Sequence, residues 1–232
     1  MRAFRAVDEE ASCYQFIEGH QKTLDSYYGR IKVTSTAPDW INNPGTIVVF
    51  AENEDGTKLY GGARIQMSDG VNPLPIESAI SSKDPTIHKY VRKGTAEICG
   101  LWNSKEVTGM GIGSIILGRV TAALCGFLPL DTIFMLCAPV TVRMCGRVGC
   151  TIFTKVGNNG IFYYPKEDFI ATAMVIPDPL ELTHADPSER LIILNLRENP
   201  RQIIIQEGLK GKLEVSYDLE IPKILSTDYY LA

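Results

Sequence analysis

The stretch VTGMGIGSIILGRVTAAL, residues 107–124, carries glycine at three alternating positions, Gly109, Gly111 and Gly113, just before an apolar run with helical spacing. Ile112, Ile115, Ile116, Val120, Ala123 and Leu124 share one stripe of a helix expected over about 112–125, as a helix packed on a sheet requires. AEICGLW at 96–102 reads as a strand leading into the glycines, and TIFMLCA at 132–138, apolar throughout, reads as a strand covered on both faces. Glycines at a strand-to-helix junction let backbone N–H groups approach an anion, and the helix dipole adds positive potential there. One such glycine serves a tight turn just as well. Three at alternating positions favour an anion, and phosphate is its natural form.

The surrounding pattern repeats this alternation of strand and helix. PVTVRMCGRVG reads as a short helix with Pro139 in its first turn and Gly149 as its stop, and DFIATAMVI at 168–176 as a strand closed by Pro177 and Pro179. Upstream, residues 8–28 predict a helix ending near Gly29, and TIVVFAENEDGTKLYGGARIQM predicts a hairpin turning at Asp55-Gly56. The Pro-rich segment from Ser68 to Pro85 is expected to lack regular structure, as a flap or a plain connection. Strand, helix, strand, helix and strand in succession imply an α/β sheet with helices on its faces. Beyond ELTHADPSER, residues 191–196 and 212–219 are expected as strands flanking a short helix. Residues 1–180 form the expected principal domain and 181–232 a C-terminal extension, packed on it or apart.

Composition narrows the partners. A chain of 232 residues with 45% hydrophobic content fills one sizeable core. Its net charge of −4 and its 23 scattered Lys and Arg residues argue against nucleic acid. Cys13, Cys99, Cys125, Cys137, Cys145 and Cys150 form no C-x-x-C pair, and read as small buried hydrophobes in a reducing compartment. His20, His88 and His184 are far apart and lack metal-like neighbours, so no metal is expected. With no leader pattern and no apolar run long enough to span a bilayer, the expected location is the cytoplasm.

Two common phosphate motifs fail here. A P-loop needs G-K-[ST], and no Lys follows these glycines. A dinucleotide fingerprint needs glycine where Ser114 stands, and an acidic residue where Cys137-Ala138 close the next strand. TGMGIGSIIL resembles instead the acyl-CoA pyrophosphate loop of the GNAT acyltransferase superfamily: Arg or Gln, two variable residues, Gly, one variable residue, then Gly or Ala. Gly111 and Gly113 fill the glycine positions, while Thr108 replaces the Arg or Gln. The resemblance extends to element order over about 45–178 and to motifs over 96–150. It implies a GNAT-like mixed, mostly antiparallel central sheet with helices on both faces. It also implies acyl-CoA, such as acetyl-CoA, as co-substrate, its pyrophosphate held by backbone amides of Gly109, Met110, Gly111, Ile112, Gly113 and Ser114 beside Thr108. The family's splayed strand pairs with the pantetheine arm, which by position gives Leu101, Trp102 and Asn103; Trp102 reads equally as a core aromatic.

A narrower resemblance is to the acyl-homoserine-lactone synthases and related acyl-carrier-protein-dependent N-acyltransferases. LYGGARI with Arg64 is similar to their Gly-x-x-Arg strand, AEICGLW with Glu97 to their strand bearing a Glu, and MCGRVGCTIFTKVG to their late helix and glycine turn. Their Arg three residues beyond the Glu is Gly100 here.

Acyl transfer to an amine needs a base for the amine proton and an acid or solvent for the leaving thiolate. Glu97 is the base candidate, with a salt-bridged edge residue as its alternative; alternation puts it on the face opposite Ile98 and Gly100. Many relatives place a Tyr acid four residues before the glycine that ends the late helix, and Cys145 stands there, as a thiol donor or a packed core residue. Tyr163 and Tyr164 are the other candidate acids or packing aromatics. Arg143 and Arg147, four apart, suit a phosphate, a carrier protein or a solvated face. The functions implied are an N-acyltransferase moving an acyl group from acyl-CoA to a small amine, a carrier-protein-dependent N-acyl amino acid or acyl-homoserine-lactone-type synthase, or a non-catalytic acyl-CoA-binding module. The oligomeric state stays open, a homodimer included.

Overall fold

The computed structural model describes residues 1–208 and 210–221; residues 222–232 of the expected extension lie outside the described residues. The chain opens with β1 (Arg2–Arg5) and α1 (Glu10–Tyr28), which ends where Gly29 adopts a φ of +70°. The hairpin follows as β2 (Thr46–Glu52) and β3 (Leu59–Met67). The segment expected to lack regular structure holds a short helix, α2 (Pro75–Ile80). Pro75 presets its first turn, and the Glu77 carboxylate accepts the Leu74 N–H at 2.9 Å, a local cap that the count of prolines obscures.

Next come β4 (Thr95–Asn103), the glycine loop, a π-helical turn (Ile112–Ile116) and α3 (Leu117–Cys125). They are followed by β5 (Thr132–Cys137), α4 (Pro139–Arg147), β6 (Thr151–Ile152), β7 (Ile161–Tyr163) and β8 (Ile170–Ile176). The run 191–196 is not a strand. It is the middle of α5 (Pro187–Glu198), and two strands follow, β9 (Arg201–Gly208) and β10 (Gly211–Asp218). Asp186 caps the helix by accepting the Ser188 N–H at 3.0 Å, and Ile193 and Leu196 are buried three residues apart while Leu191 faces out.

The strands form one sheet in the order β6-β8-β5-β4-β3-β2-β1-β10-β9, with β7 also on β8. Neighbours are antiparallel except the pairs β4–β5 and β1–β10. This is the mixed, mostly antiparallel sheet implied by the glycine loop. Alternation then sorts the two faces. Ala63, Ile65, Ala96 and Ile98 pack with α3, α4 and α5, while Val48, Phe50, Trp102 and Phe134 lie on the face covered by α1, α2 and the 31–43 segment.

Residues 181–221 continue this architecture. Glu189 of α5, 1% exposed, takes Arg119 of α3 at 2.5 and 3.1 Å and also binds Arg147 of α4, while Arg119 reaches Gln206 of β9 at 2.8 Å. Arg147 is thereby committed to structure. Removing one member of a buried ionic network strands the others without a partner. Glu189→Ala is therefore expected to destabilise the fold by about 3 kcal/mol in urea denaturation; a loss below about 1 kcal/mol would show that the network is not coupled to folding.

Candidate active site

The parallel pairing of β4 with β5 covers only Thr95 with Thr132, Ala96 with Ile133 and Glu97 with Phe134. Beyond Glu97 the strands part. β4 keeps its antiparallel ladder with β3 out to Asn103, so from Ile98 onward its other edge pairs with no strand among the described residues. Both strands end on the same side of the sheet, where the glycine loop follows β4 and α4 follows β5 after a single residue. A crevice outside the carboxyl ends of parallel strands is a common ligand position.

A bulge shapes the open edge. Gly62 pairs with Trp102 and Arg64 with Cys99, so Ala63 faces both Gly100 and Leu101. Gly100 takes a φ of +61°, and a Cβ there would meet Phe16 at 3.1 Å and His20 Nδ1 at 3.6 Å. Gly100 thus turns toward α1, the side of Glu97, and not away from it as simple alternation implies. The bulge has shifted the register by one residue.

The loop beyond is wide. Gly109 and Gly111 have φ of +86° and +88°, and the Gly111 carbonyl accepts from the N–H groups of both Ile115 and Ile116 at 3.0 Å. The N–H groups of Ile112, Gly113 and Ser114, first in the turn, have no preceding helical carbonyl to bond and point outward. Gly113 itself is helical; a Cβ on it would overlap the Asn103 carboxamide, so its lack of a side chain lets the turn seat against β4. Lys210, between β9 and β10, lays its stem across the loop: a Cβ on Gly109 would stand 3.2 Å from its Cε. Nothing in the local sequence forecasts this cation, because it arrives from a hairpin about a hundred residues away.

Glu97 lies on the other face, 2% exposed, with Oε2 accepting the Ile76 N–H of α2 at 2.7 Å. Burial pushes its carboxyl up to about 8, against the opposing pull of the Ile76 N–H and of Arg64, and with a further push from Glu77. His20, also buried, is held down at about 4 by desolvation and by Arg64. Both are neutral over much of the physiological range.

Gln66, the cross-strand partner of Glu97, lines a cavity of about 170 Å³ together with Thr34, Asp39, Trp40, Arg64, Asp69, Pro75 and Ser78 among others; Glu97 does not line it. Arg64 is fully buried and stacks over Trp40 at 4.3 Å, its Nη1 donating to the Ser35 carbonyl at 3.2 Å. Its Nε and Nη2, the Trp40 Nε1 and the Gln66 Oε1 are buried without a partner. An unsatisfied buried polar atom costs about 1–3 kcal/mol, so their gathering around one cavity marks it as a site. Arg64 is marked in the sequence by the similarity of LYGGARI to a Gly-x-x-Arg strand; Trp40 and Gln66 give no such signal.

The remaining candidates are placed elsewhere. The Trp102 ring packs on Phe16 and Gly19 of α1, leaving its backbone, with that of Leu101 and Asn103, at the open edge. Cys145 is buried with its Sγ 3.5 Å from that of Cys137; the Cys137 bond lowers its thiol pKa, but Cys150 and burial outweigh this and raise it. A thiol so raised holds its proton too tightly for a leaving thiolate, which favours the packing role. The Tyr164 hydroxyl accepts the Thr34 N–H at 2.6 Å and meets Thr34 Oγ1 at 3.1 Å, bracing the cavity wall. All six cysteines are buried and free. No helix among the described residues is long and apolar enough to cross a membrane.

No family model matches the chain, and no curated protein matches it in sequence. Solved structures do match in fold. FeeM, an N-acyl amino acid synthase from uncultured soil microbes, superposes with a TM-score of 0.54 at 18% identity over 80% of this chain and 100% of its own. The CoA-dependent acyl-homoserine lactone synthase MesI gives 0.52 at 13% identity over 85% and 95%. An acyl-CoA N-acyltransferase from Pseudomonas aeruginosa gives 0.50 at 12% over 75% and 96%. The chain has the GNAT fold, and these neighbours are acyltransferases.

The raised Glu97 carboxyl has a consequence for stability. The group's folded value, about 8, lies above its ordinary 4.5, so its contribution is fully present below pH 4.5 and is lost as the pH rises through 8. Between about pH 7.5 and 8, above the range in which His20 changes charge, stability is expected to fall by up to about 1.4 kcal/mol per pH unit. Glu97→Gln, which keeps an acceptor for the Ile76 N–H, is expected to flatten this slope in denaturation at several pH values. An unchanged slope would mean that Glu97 is already charged in the folded chain.

Proposed function

We propose that the protein is an N-acyltransferase that takes an acyl group from acyl-CoA and passes it to a small amine held in the cavity beside Glu97. The observation that carries this reading is the position of Glu97 at the last paired residue before β4 and β5 separate, with its cross-strand partner Gln66 lining the cavity. The GNAT fold of the neighbouring acyltransferases supports it.

In this reading the pantetheine arm adds to the free edge of β4 along Leu101, Trp102 and Asn103, using backbone groups that have no strand partner. The pyrophosphate meets the outward N–H groups of Ile112, Gly113 and Ser114, in the loop that runs from Thr108 through Gly109, Met110 and Gly111. Thr108 offers no cation there, and Lys210 supplies one. The amine attacks the thioester carbonyl carbon, and Glu97 accepts the proton that the nitrogen must lose. A carboxyl near 8 is matched to that task, basic enough to take the proton and ionised in part at neutral pH. The charge that develops on the carbonyl oxygen is met by unpaired N–H groups of β4 around the Gly100 bulge. The carbon–sulfur bond then breaks, and the leaving thiolate takes a proton from solvent, since the Cys145 thiol is raised and the Tyr164 hydroxyl is engaged with Thr34.

Titration with acetyl-CoA and longer acyl-CoAs, followed by mass detection of acylated product from a broad amine panel, tests the reading. Binding of a donor with release of free CoA thiol and an acylated amine is expected; no binding of any acyl-CoA would contradict it. Lys210→Glu is expected to weaken acyl-CoA binding by about tenfold, about 1.4 kcal/mol, while leaving an S-acyl-pantetheine, which has no pyrophosphate, unaffected. Equal weakening of both would remove Lys210 from the phosphates.

A further inference from the structure

Resting on the acyl-transfer reading above, we propose that the amine acceptor is a free amino acid, whose carboxylate is bound by Arg64 and whose nitrogen is presented to Gln66 and Glu97. The cavity leaves several buried polar atoms unsatisfied. Arg64 and Gln66 stand two residues apart on β3, on one face, separated by about 7 Å along the strand. At the Arg64 end every free atom is a donor: Nε and Nη2 of the guanidinium and Nε1 of Trp40. The Arg64 guanidinium is a permanent cation, fully buried, stacked on an indole, bonded to the Ser35 carbonyl and in contact with the Cys99 thiol; no carboxylate among the described residues stands within ion-pair distance of it. A planar carboxylate is the anion its fork matches.

At the Gln66 end the free atom is an acceptor, Oε1, so the guest must present an N–H there. Gln66 is paired directly with Glu97 in the β3–β4 register, which sets that nitrogen beside the proposed base. Asp39 and Asp69 line the same cavity. Asp69 is a fixed anion, its Oδ1 accepting the Val71 and Asn72 N–H groups at 2.9 and 2.8 Å, so the site opposes a guest with excess negative charge and favours one that also carries an ammonium. A molecule with a carboxylate and an amine a few ångströms apart satisfies both ends at once. The cavity volume, about 170 Å³, is below the range of roughly 300–1,000 Å³ for drug-sized ligands, and suits a single amino acid better than a peptide segment.

The test uses matched triplets: each L-amino acid, its primary amide and its decarboxylated amine, measured for equilibrium binding by calorimetry and for acylation in the presence of acyl-CoA. At least one amino acid is expected to bind and be acylated, with its amide and its amine weaker by about thirtyfold or more in both measurements. Acylation of a decarboxylated amine as well as its parent amino acid would overturn the inference and leave the N-acyltransferase reading standing. Carboxylate-selective binding without acylation of any compound would overturn the transfer reading and with it the acceptor role, leaving Arg64 as a carboxylate site only. Binding of none of the triplets would overturn it outright. Arg64→Gln is expected to bring the amino acid and its amide to equal affinity without changing acyl-CoA binding, and Arg64→Lys, which keeps the charge, to retain part of the preference. The wild-type triplets decide the question even if Arg64→Gln does not fold.

Discussion

Strand β4 has two neighbours and keeps only one of them. It is bonded to β3 along its length but to β5 for only three residues, and the separation after Glu97 leaves backbone groups without a strand partner in the middle of the sheet. A β-edge in the middle of a sheet is costly unless something pairs with it, so the parting itself calls for a guest with peptide-like hydrogen bonds. The Gly100 bulge makes the parting possible. It bends β4 against α1, where Phe16 and His20 leave no room for a Cβ, and it brings Trp102 onto the α1 face as an anchor while the backbone stays at the open edge.

The two faces of the sheet then divide the work. On the α3 side the packing is apolar, and the ionic ties of Glu189 with Arg119 and Arg147 lie at its margin, fixing α3, α4 and α5 to one another. This holds the glycine turn and the Lys210 hairpin in place beside the open edge of β4. On the α1 and α2 side lie Arg64, Gln66 and His20, each with a buried polar atom that has no partner, and Glu97, which accepts the Ile76 N–H. Burial changes what these groups are. It makes Glu97 a weak acid and a correspondingly stronger base, and it keeps His20 uncharged next to a guanidinium. The fold pays for this polarity in stability.

How much of this the sequence carried depends on how local each cause is. The glycine loop, the strand before it and the helix after it were legible because each follows from a few adjacent residues, and Glu97 followed from the strand. Residues 191–196 misled because LIILNL is short and apolar, a pattern that suits a buried strand as well as a helix face; Asp186 and Pro187 decide between them. The bulge was not legible, since it sets Gly100 against Phe16 and His20, which stand eighty or more residues earlier. The same is true of the cavity, assembled from the 34–43 segment, β3 and α2, and of Lys210 on the glycine loop. Cys145 and Tyr164 were reasonable acids by position, and their partners Cys137 and Thr34 are what the sequence could not reveal.

The central claim is that burial between the open strand edge and the cavity makes Glu97 the proton acceptor. The pH dependence of kcat/KM, measured with a saturating acyl-CoA and a limiting acceptor, tests it most directly. An acceptor amine that titrates well above the range, or a correction for its known pKa, isolates the enzyme's own group. The account predicts a rise with a midpoint near pH 8 that Glu97→Gln abolishes, with turnover lowered by roughly a hundredfold or more. A rise of the same midpoint and height in the Glu97→Gln protein would contradict it.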